Sequence, residues 1–234
     1  MNEVEVFEAS QCGTDKKLAN FPKYVRRQTL ARFLVQHELF KLQLETKGSI
    51  VECGVHHGGG VMAWAKLSAT LEPYNYHRTI VGFDSFSGFP GVSDVDSKNH
   101  PDVKVGMFGE EYDVLGELTE SLQAFDENRF IGHIPKVDLV KGDAIVTIPE
   151  YMKKNPHFLV SLLYLDFDIY EPTKVALEHF LPRMPRGAIL AFDELNNPDW
   201  PGETLAMLES KGLALGELRC FPFEPNISYL RIGS

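Results

Sequence analysis

Five short apolar segments, each ending in a polar or glycine-containing turn, most constrain how this chain can fold. They are rich in Val, Ile, Leu and Phe and read SIVECGV, TIVGFDSF, VDLVKGDA, VSLLYLDFD and GAILAFDEL. Segments with helical spacing of apolar residues lie between them, for example residues 173–181. Nearly continuous apolar strands that alternate with helices predict a parallel sheet covered by helices on both faces. The predicted fold class is therefore α/β.

The two ends of the chain depart from this alternation. Residues 20–46 place apolar side chains at roughly helical spacing among charges, which predicts one or two helices ahead of the sheet. The tail ALGELRCFPFEPNISYLRI alternates apolar and polar residues around a proline, which predicts a closing antiparallel hairpin. We therefore expect one domain over residues 20–234, preceded by a mobile N-terminal segment at residues 1–19.

Residues 90–135, between the second and third predicted strands of the series, form a longer connection than is usual in an α/β fold. The first half of the connection is polar, and the second half predicts a helix near residues 113–125. Long loops of compact domains often carry function. We interpret this connection as a lid-like insertion, and the alternative is a surface loop without function.

Net charge and cysteine content argue against several classes of function. The 234 residues carry a formal net charge of −10 without a dense cluster of Lys and Arg, so neither nucleic acid nor an anionic membrane is an expected partner. The sequence contains no apolar stretch long enough to predict a membrane span, and its acidic start does not resemble an export signal. Cys12, Cys53 and Cys220 are too widely separated for a zinc site or a disulfide framework. We expect reduced thiols in a cytoplasmic protein.

The turn after the first predicted strand is rich in glycine and reads ECGVHHGGG over residues 52–60. Glycine lets the backbone approach a ligand without a Cβ clash, although the spacing does not match the GxGxxG dinucleotide pattern. Ligands bind open parallel sheets beyond the carboxyl ends of the strands, so acids at these ends are candidate binding groups. Asp84 could accept hydrogen bonds from both hydroxyls of a ribose, or it could cap a turn with Ser85 and Ser87. Asp143 could lie beside an adenine, or it could form an Asx turn.

Four carboxylates follow the last two parallel strands. Asp166 and Asp168 are two residues apart, which places both on one face if the extended conformation continues. Asp193 and Glu194 end the next strand, and neighbouring parallel strands would bring all four acids to one edge of the sheet. Like charges this close are unfavourable without a positive partner, and hard oxygen ligands suit Mg²⁺, Mn²⁺ or Ca²⁺. The acids therefore predict a divalent metal site, with helix and turn caps as the alternative.

Four motifs taken together resemble the macrocin O-methyltransferase family. They are ECGVHHGGG, GFDSFSGFP, LDFDIYEPT, and FDE followed by PGE, and the resemblance runs from about Asn20 to the C-terminus. It implies a single Rossmann-like class I methyltransferase domain with S-adenosylmethionine as the methyl donor. It further implies that the acceptor is a hydroxyl group, as in the sugars that such enzymes methylate in antibiotic biosynthesis.

The resemblance also implies roles for individual residues. It makes Asp168 the general base, Asp166 and Asp193 ligands of a divalent cation such as Mg²⁺, and Glu194 the third ligand. The family usually has a second aspartate at this last position, and glutamate is longer by one methylene group. Cofactor binding is assigned by the same resemblance to Glu52, Gly54, Val55, His56, Gly58, Asp84, Ser85 and Asp143.

In the implied mechanism the ion lowers the pKa of an acceptor hydroxyl, Asp168 takes the proton, and the oxygen attacks the sulfonium methyl in line. The expected function is therefore metal-dependent O-methylation of a sugar or a glycosylated small molecule. A catechol-like vicinal diol is an alternative acceptor, and a non-catalytic cofactor-binding homologue is an alternative class of protein. The N-terminal helices and the insertion are compatible with a homodimer.

Overall fold

A seven-stranded sheet with the order β3-β2-β1-β4-β5-β7-β6 organises the computed structural model, which describes residues 2–210 and 212–233. The first five strands are mutually parallel, whereas β7 runs antiparallel to β5 and pairs with β6 in a hairpin. The strands are β1 (Ser49–Cys53), β2 (Ile80–Asp84), β3 (Val137–Lys141), β4 (Val160–Leu165), β5 (Ile189–Phe192), β6 (Arg219–Phe221) and β7 (Glu224–Arg231). The predicted α/β class, the parallel sheet and the closing hairpin are confirmed.

Helices occupy the connections between the strands and the N-terminal region. They are α1 (Glu3–Ala9), α2 (Thr14–Ala19), α3 (Arg27–Gln43), α4 (Gly59–Leu71), α5 (Asp94–Asn99), α6 (Val114–Glu127), α7 (Ala144–Lys154), α8 (Tyr170–Phe180) and α9 (Gly202–Ser210). The helix α3 packs its buried face, including Val35, Leu39 and Phe40, into the core. The helices α1 and α2 have no buried residues, so they lie outside the core. Among the described residues, no helix combines the length and apolar character needed to cross a membrane.

The three central strands explain why the apolar runs predicted the sheet so directly. Every residue of β1, β4 and β5 is buried, because helices cover both faces of the sheet. Two hydrophobic clusters form the core, one on each face, with Phe83 and Phe180 in the first and Trp64 and Tyr164 in the second. Burial of this apolar surface is the main favourable contribution to folding.

Strand register brings the turns that follow the strands to one edge of the sheet. Cys53 pairs with Leu165 and with Phe83, so the turns after β1, β2 and β4 begin at the same level. Leu165 pairs in turn with Phe192, which places Asp166 beside Asp193. The expectation that these two strand ends are neighbours is confirmed.

The long connection between β2 and β3 consists of two different parts. The helix α6 is an ordinary crossover helix, because Leu118 is buried in the core and Leu122 and Phe125 pack beside it. The part that precedes it, residues 85–113, contains the short helix α5 and is named here the cover segment. Asp96 anchors this segment, since it is 2% exposed and its Oδ1 accepts a hydrogen bond of 3.0 Å from the amide of Tyr170.

The opposite edge of the sheet, where the strands begin, is held by one buried arginine. Arg78 is 4% exposed, and its guanidinium donates to the carbonyl oxygens of Gly48, Leu44 and Thr46 at 2.9–3.1 Å. It also donates to side-chain oxygens, and these belong to Gln43, Glu72 and Ser161. All of these acceptors would lose a buried donor together if the side chain were removed.

We expect Arg78→Ala to lower the free energy of unfolding by about 3–5 kcal/mol, the usual cost of removing one partner from a buried charged network. Arg219→Ala is the matched control, because Arg219 makes an exposed ion pair with Glu217. Urea unfolding followed by circular dichroism measures both variants. A loss in Arg78→Ala no larger than that in the control would contradict the structural role.

Candidate functional site

A cavity of about 790 Å³ opens at the carboxyl edge of the parallel strands. Its walls come from the turn after β1, the cover segment, the turn after β3, and the turns after β4 and β5. This volume is in the usual range for small-molecule sites. Most of the predicted site residues line it: Glu52, Gly54, Val55, His56, Asp84, Ser85, Asp143, Asp166, Asp168 and Asp193.

The turn after β1 depends on glycine at two points. Gly54 has φ +93°, and a Cβ at this residue would lie 1.9 Å from the carbonyl oxygen of Asp166. Gly58, the N-cap of α4, has φ +85°, and a Cβ there would lie 2.4 Å from the side chain of Leu118. Both residues therefore need the left-handed conformation and the close approach that glycine allows. The turn after β1 thus lies against the start of the turn after β4 on one side and against α6 on the other.

Asp84 fixes this turn from the neighbouring strand. Its Oδ2 accepts hydrogen bonds from the amides of Val55 and His56 at 2.7 and 2.9 Å, and its Oδ1 accepts one of 2.7 Å from Phe86. The capping alternative considered for Asp84 is therefore present, although with different partners than Ser85 and Ser87. Each carboxylate oxygen can accept more than one hydrogen bond, so binding to a ribose stays a prediction.

Ser85 and Asp143 have local roles at the same edge. The Ser85 hydroxyl donates to the carbonyl of Gly88 at 2.5 Å and accepts from the amide of Ser87 at 3.0 Å. Asp143 caps α7 by accepting a 3.0 Å hydrogen bond from Ile145, which is the Asx turn considered as its alternative. Their contacts with a cofactor stay predictions.

Glu52 lies at the inner end of the cavity and is almost fully buried. The indole Nε1 of Trp64 donates to its Oε2 at 2.5 Å, and a Cβ at Gly60 would lie 2.2 Å from its Oε1. Burial raises the pKa of Glu52 to about 8, despite the opposing effects of the Trp64 hydrogen bond and of Arg32. Burial thus favours the neutral carboxyl group over the carboxylate at this residue.

Arg32 bridges the two acids that were predicted to be metal ligands. Its Nη2 lies 2.6 Å from Oδ2 of Asp166 and 2.9 Å from Oδ1 of Asp193, and its Nη1 donates to Oδ2 of Asp193 at 3.1 Å. The hydroxyl of Tyr164 also donates to Asp193, at 2.7 Å. Burial and the charge of Asp193 raise the pKa of Asp166, and Arg32 opposes this effect. A guanidinium thus supplies the positive partner that the clustered acids require.

Glu194 has other partners than this pair. Its carboxylate accepts a 2.9 Å hydrogen bond from the side chain of Asn197, and its amide donates to Glu203 at 3.2 Å. Glu203 is fully buried, and burial followed by the charge of Asp168 raises its pKa. The other oxygen of Glu203, Oε1, has no hydrogen-bond partner among the described residues. In the described chain, Asp166, Asp193 and Glu194 do not gather three ligand atoms within 4.8 Å of one another.

Asp168 differs from the other acids because its carboxylate has no hydrogen-bond donor among the residues that the structure describes. The extended conformation stops before it, since Asp168 has φ +63° and β4 ends at Leu165. The premise that Asp166 and Asp168 share one strand face is therefore wrong, although both side chains line the cavity. Burial, with added repulsion from Glu194 and Asp193, raises the pKa of Asp168 to about 7.

Two residues at this site carry charges that the sequence analysis did not assign. Arg32 is separated from Asp166 by 134 residues and lies on a helix outside the alternating strand pattern. Glu203 belongs to the PGE motif, but nothing in its local sequence indicates full burial. The requirement of clustered acids for a positive partner was the one signal that pointed toward Arg32.

This fold and site define an α/β methyltransferase, a class whose solved structures share the Rossmann-like sheet described above. The chain belongs to the macrocin O-methyltransferase (TylF) family of S-adenosylmethionine-dependent enzymes, which matches residues 30–208. The mycinamicin III 3''-O-methyltransferase of Micromonospora griseorubida is 25% identical over 152 residues, which are 63% of this chain and 55% of that relative. The match thus spans about half the length of this curated relative.

Solved structures of the calicheamicin methyltransferase CalS11 are similar over nearly the whole chain. One of these structures is 39% identical in sequence and superposes with a TM-score of 0.95. The alignment covers 99% of this chain and 90% of the CalS11 chain. The apo structure of CalS11, described as a TDP-rhamnose 3'-O-methyltransferase, is 36% identical, covers 99% of this chain and 92% of its own, and gives a TM-score of 0.85. The O-methyltransferase NovP shares the fold, with 18% sequence identity and a TM-score of 0.63. That alignment covers 87% of this chain and 80% of the NovP chain.

We expect Asp84→Ala to weaken the binding of S-adenosylhomocysteine, because backbone amides of the turn after β1 and of the loop after β2 lose their acceptor. A loss on the order of 1.5–3 kcal/mol corresponds to about 10- to 150-fold in Kd. Isothermal titration calorimetry measures it, with Asp138→Ala on β3 as a control that leaves the turn intact. Unchanged affinity in a folded Asp84→Ala protein would contradict this assignment.

Proposed function

We propose that this protein transfers the methyl group of S-adenosylmethionine to a hydroxyl of a sugar, with Asp168 as the general base. The observation that carries the proposal is the state of Asp168 in the cavity: no described donor binds its carboxylate, and burial and nearby acids raise its pKa to about 7. A base with a pKa near the working pH combines availability with proton affinity. The family and its relatives support the choice of donor and acceptor.

The proposed reaction is a direct displacement at the methyl carbon. Asp168 takes the proton of the acceptor hydroxyl, the oxygen forms a bond to the methyl carbon, and the carbon–sulfur bond breaks to leave S-adenosylhomocysteine. The turn after β1, fixed by Asp84 and Gly54, would hold the donor, and the turns after β4 and β5 would hold the acceptor. The contribution of the protein is alignment of the reacting groups and stabilisation of charge.

We further propose a deoxysugar linked to a nucleotide as the acceptor class. The support is the structural similarity to a TDP-rhamnose 3'-O-methyltransferase, which covers 99% of this chain, whereas the match to the mycinamicin III 3''-O-methyltransferase covers 63%. Incubation with S-adenosylmethionine and TDP-rhamnose, TDP-glucose, free rhamnose or a catechol, followed by mass spectrometry, tests this directly. Methylation of the catechol alone would exclude the sugar assignment.

A divalent ion such as Mg²⁺ is part of the proposal, and the residues fit it in part. Asp166 and Asp193 already converge on one positive centre, the Nη2 of Arg32, at 2.6 and 2.9 Å. Their oxygens are the ligands that Mg²⁺ prefers. We therefore propose that these two aspartates hold the ion after Arg32 withdraws, and that Glu194 joins them only if it leaves Asn197. When bound, the ion would supply Lewis acidity toward the acceptor hydroxyl.

Exchange of Asp168 for asparagine should separate the base from the ligands. We expect Asp168→Asn to lower kcat by about 10²–10⁴, the usual contribution of general-base catalysis, and to leave binding of S-adenosylhomocysteine unchanged. Asp166→Asn should instead weaken the binding of the ion, so that excess Mg²⁺ restores part of the methylation rate of this variant. The rate is measured against Mg²⁺ concentration for both variants. Recovery of Asp168→Asn at high Mg²⁺ would make Asp168 a ligand and remove it as the base.

Arg32 should compete with the ion for the same two carboxylates. We expect Arg32→Gln to tighten Mg²⁺ binding about tenfold, an estimate based on the loss of one charged hydrogen-bonded competitor. Calorimetry with Mg²⁺ measures the affinity, and Lys41→Gln at the other end of α3 is the control.

Exhaustive chelation should abolish turnover of the wild-type protein. Full activity after chelation would show that Arg32 alone compensates the acids.

A further inference from the structure

Outside the carboxylate pair, the described residues contain one group of three side chains able to hold a metal ion: His56, His57 and Glu110. Each offers one ligand atom, and the three atoms lie within 4.8 Å of one another. All three side chains are exposed at the mouth of the cavity. The two histidines come from the turn after β1, whereas Glu110 comes from the cover segment.

The contacts of His57 orient it toward Glu110. Its Nε2 lies 3.2 Å from Oε1 of Glu110, and its Nδ1 lies 2.6 Å from the hydroxyl of Tyr112. The ring stacks nearly parallel to that of Tyr112, with an interplanar angle of 17°. In the tautomer with the proton on Nδ1, this N–H donates a hydrogen bond to the Tyr112 hydroxyl, and the lone pair of Nε2 points to the Glu110 carboxylate. A second hydrogen bond of this kind is what usually fixes a metal-binding imidazole.

His56 is held beside His57 by the backbone of the turn. Its amide donates to Asp84, its φ is +48°, and its ring centroid lies 4.0 Å from that of His57. The turn thus holds the two imidazole rings side by side.

We propose that His56, His57 and Glu110 form a binding site for a first-row transition metal ion, with Zn²⁺ as the preferred ion. The bound ion would join the turn after β1 to the cover segment. Two imidazoles and one carboxylate, with a fourth position open, are a common zinc ligand set. The carboxylates bridged by Arg32 favour harder ions, so the two sites differ in preference. Bonds of about 2.0–2.2 Å to one ion would require the three ligand atoms to move closer together than their present separations, which are within 4.8 Å.

Binding at this site would restrict the cover segment. Asp96 anchors the segment to Tyr170, and an ion held by Glu110 would add a second attachment near residue 113, where the segment ends. Zn²⁺ is thus expected to slow exchange of ligands through the cavity mouth. The inference does not depend on the proposed acceptor or on the base.

The test is a titration of the full chain, without a polyhistidine tag, with Zn²⁺ in calorimetry and with Co²⁺ in visible absorption. Mg²⁺ at saturating concentration is present throughout, and circular dichroism checks each variant. We expect one tight Zn²⁺ per chain, with affinity at least tenfold lower in His57→Ala and in Glu110→Gln. His157→Ala, an exposed histidine elsewhere, and Asp166→Asn should bind as the wild type does.

Limited proteolysis gives a second measurement. Trypsin cleavage after Lys104, an exposed residue of the cover segment, should be slower with Zn²⁺ in the wild type and unaffected by Zn²⁺ in Glu110→Gln. Binding unchanged in both site variants would overturn the proposal, as would its loss in Asp166→Asn alone, which would place the ion at the aspartates. Absence of Zn²⁺ binding in the wild type would overturn it as well.

Discussion

The parallel sheet depends on the buried guanidinium of Arg78, because this one group donates hydrogen bonds to several chain segments where the central strands begin. Carbonyl groups there point into a protein interior that excludes water, and each would be costly without a donor. A planar cation with five donors can serve them together. The interaction fixes the amino edge of the sheet, so that the carboxyl edge can carry groups chosen for chemistry instead of stability.

The carboxyl edge shows the opposite electrostatic situation. Several acids meet there, and their pKa values are raised because burial and mutual repulsion disfavour the charged forms. Arg32 compensates two of them but leaves Asp168 without a partner among the described residues. The proposed division of roles between a base and cation ligands requires such a separation of neighbouring carboxyls into compensated and uncompensated groups. The folded state therefore carries an electrostatic cost at the same edge that holds the cavity.

The fold could be predicted from the sequence because its signals are local. Apolar runs mark β1, β4 and β5, which are buried on both faces, and glycines mark the turn after β1. The site was predictable only where acids directly follow strands. The pairing of Arg32 with Asp166 spans 134 residues, and Asp168 adopts a positive φ although it is not a glycine. Neither leaves a pattern in neighbouring residues, whereas the helix predicted near residues 113–125 is present as α6.

The close approach of Gly54 to the carbonyl of Asp166 has a consequence for how such enzymes can diversify. The turn after β1 and the turn after β4 lie so close that a side chain at Gly54 would collide with the backbone of Asp166, so sequence change at either turn is constrained by the other. The cover segment meets this framework through side chains such as Asp96, and it can change in length and composition while those few anchors persist. Descendants of one ancestral chain could therefore reshape the cavity wall formed by residues 85–113 and inherit the turns after β1 and β4 intact.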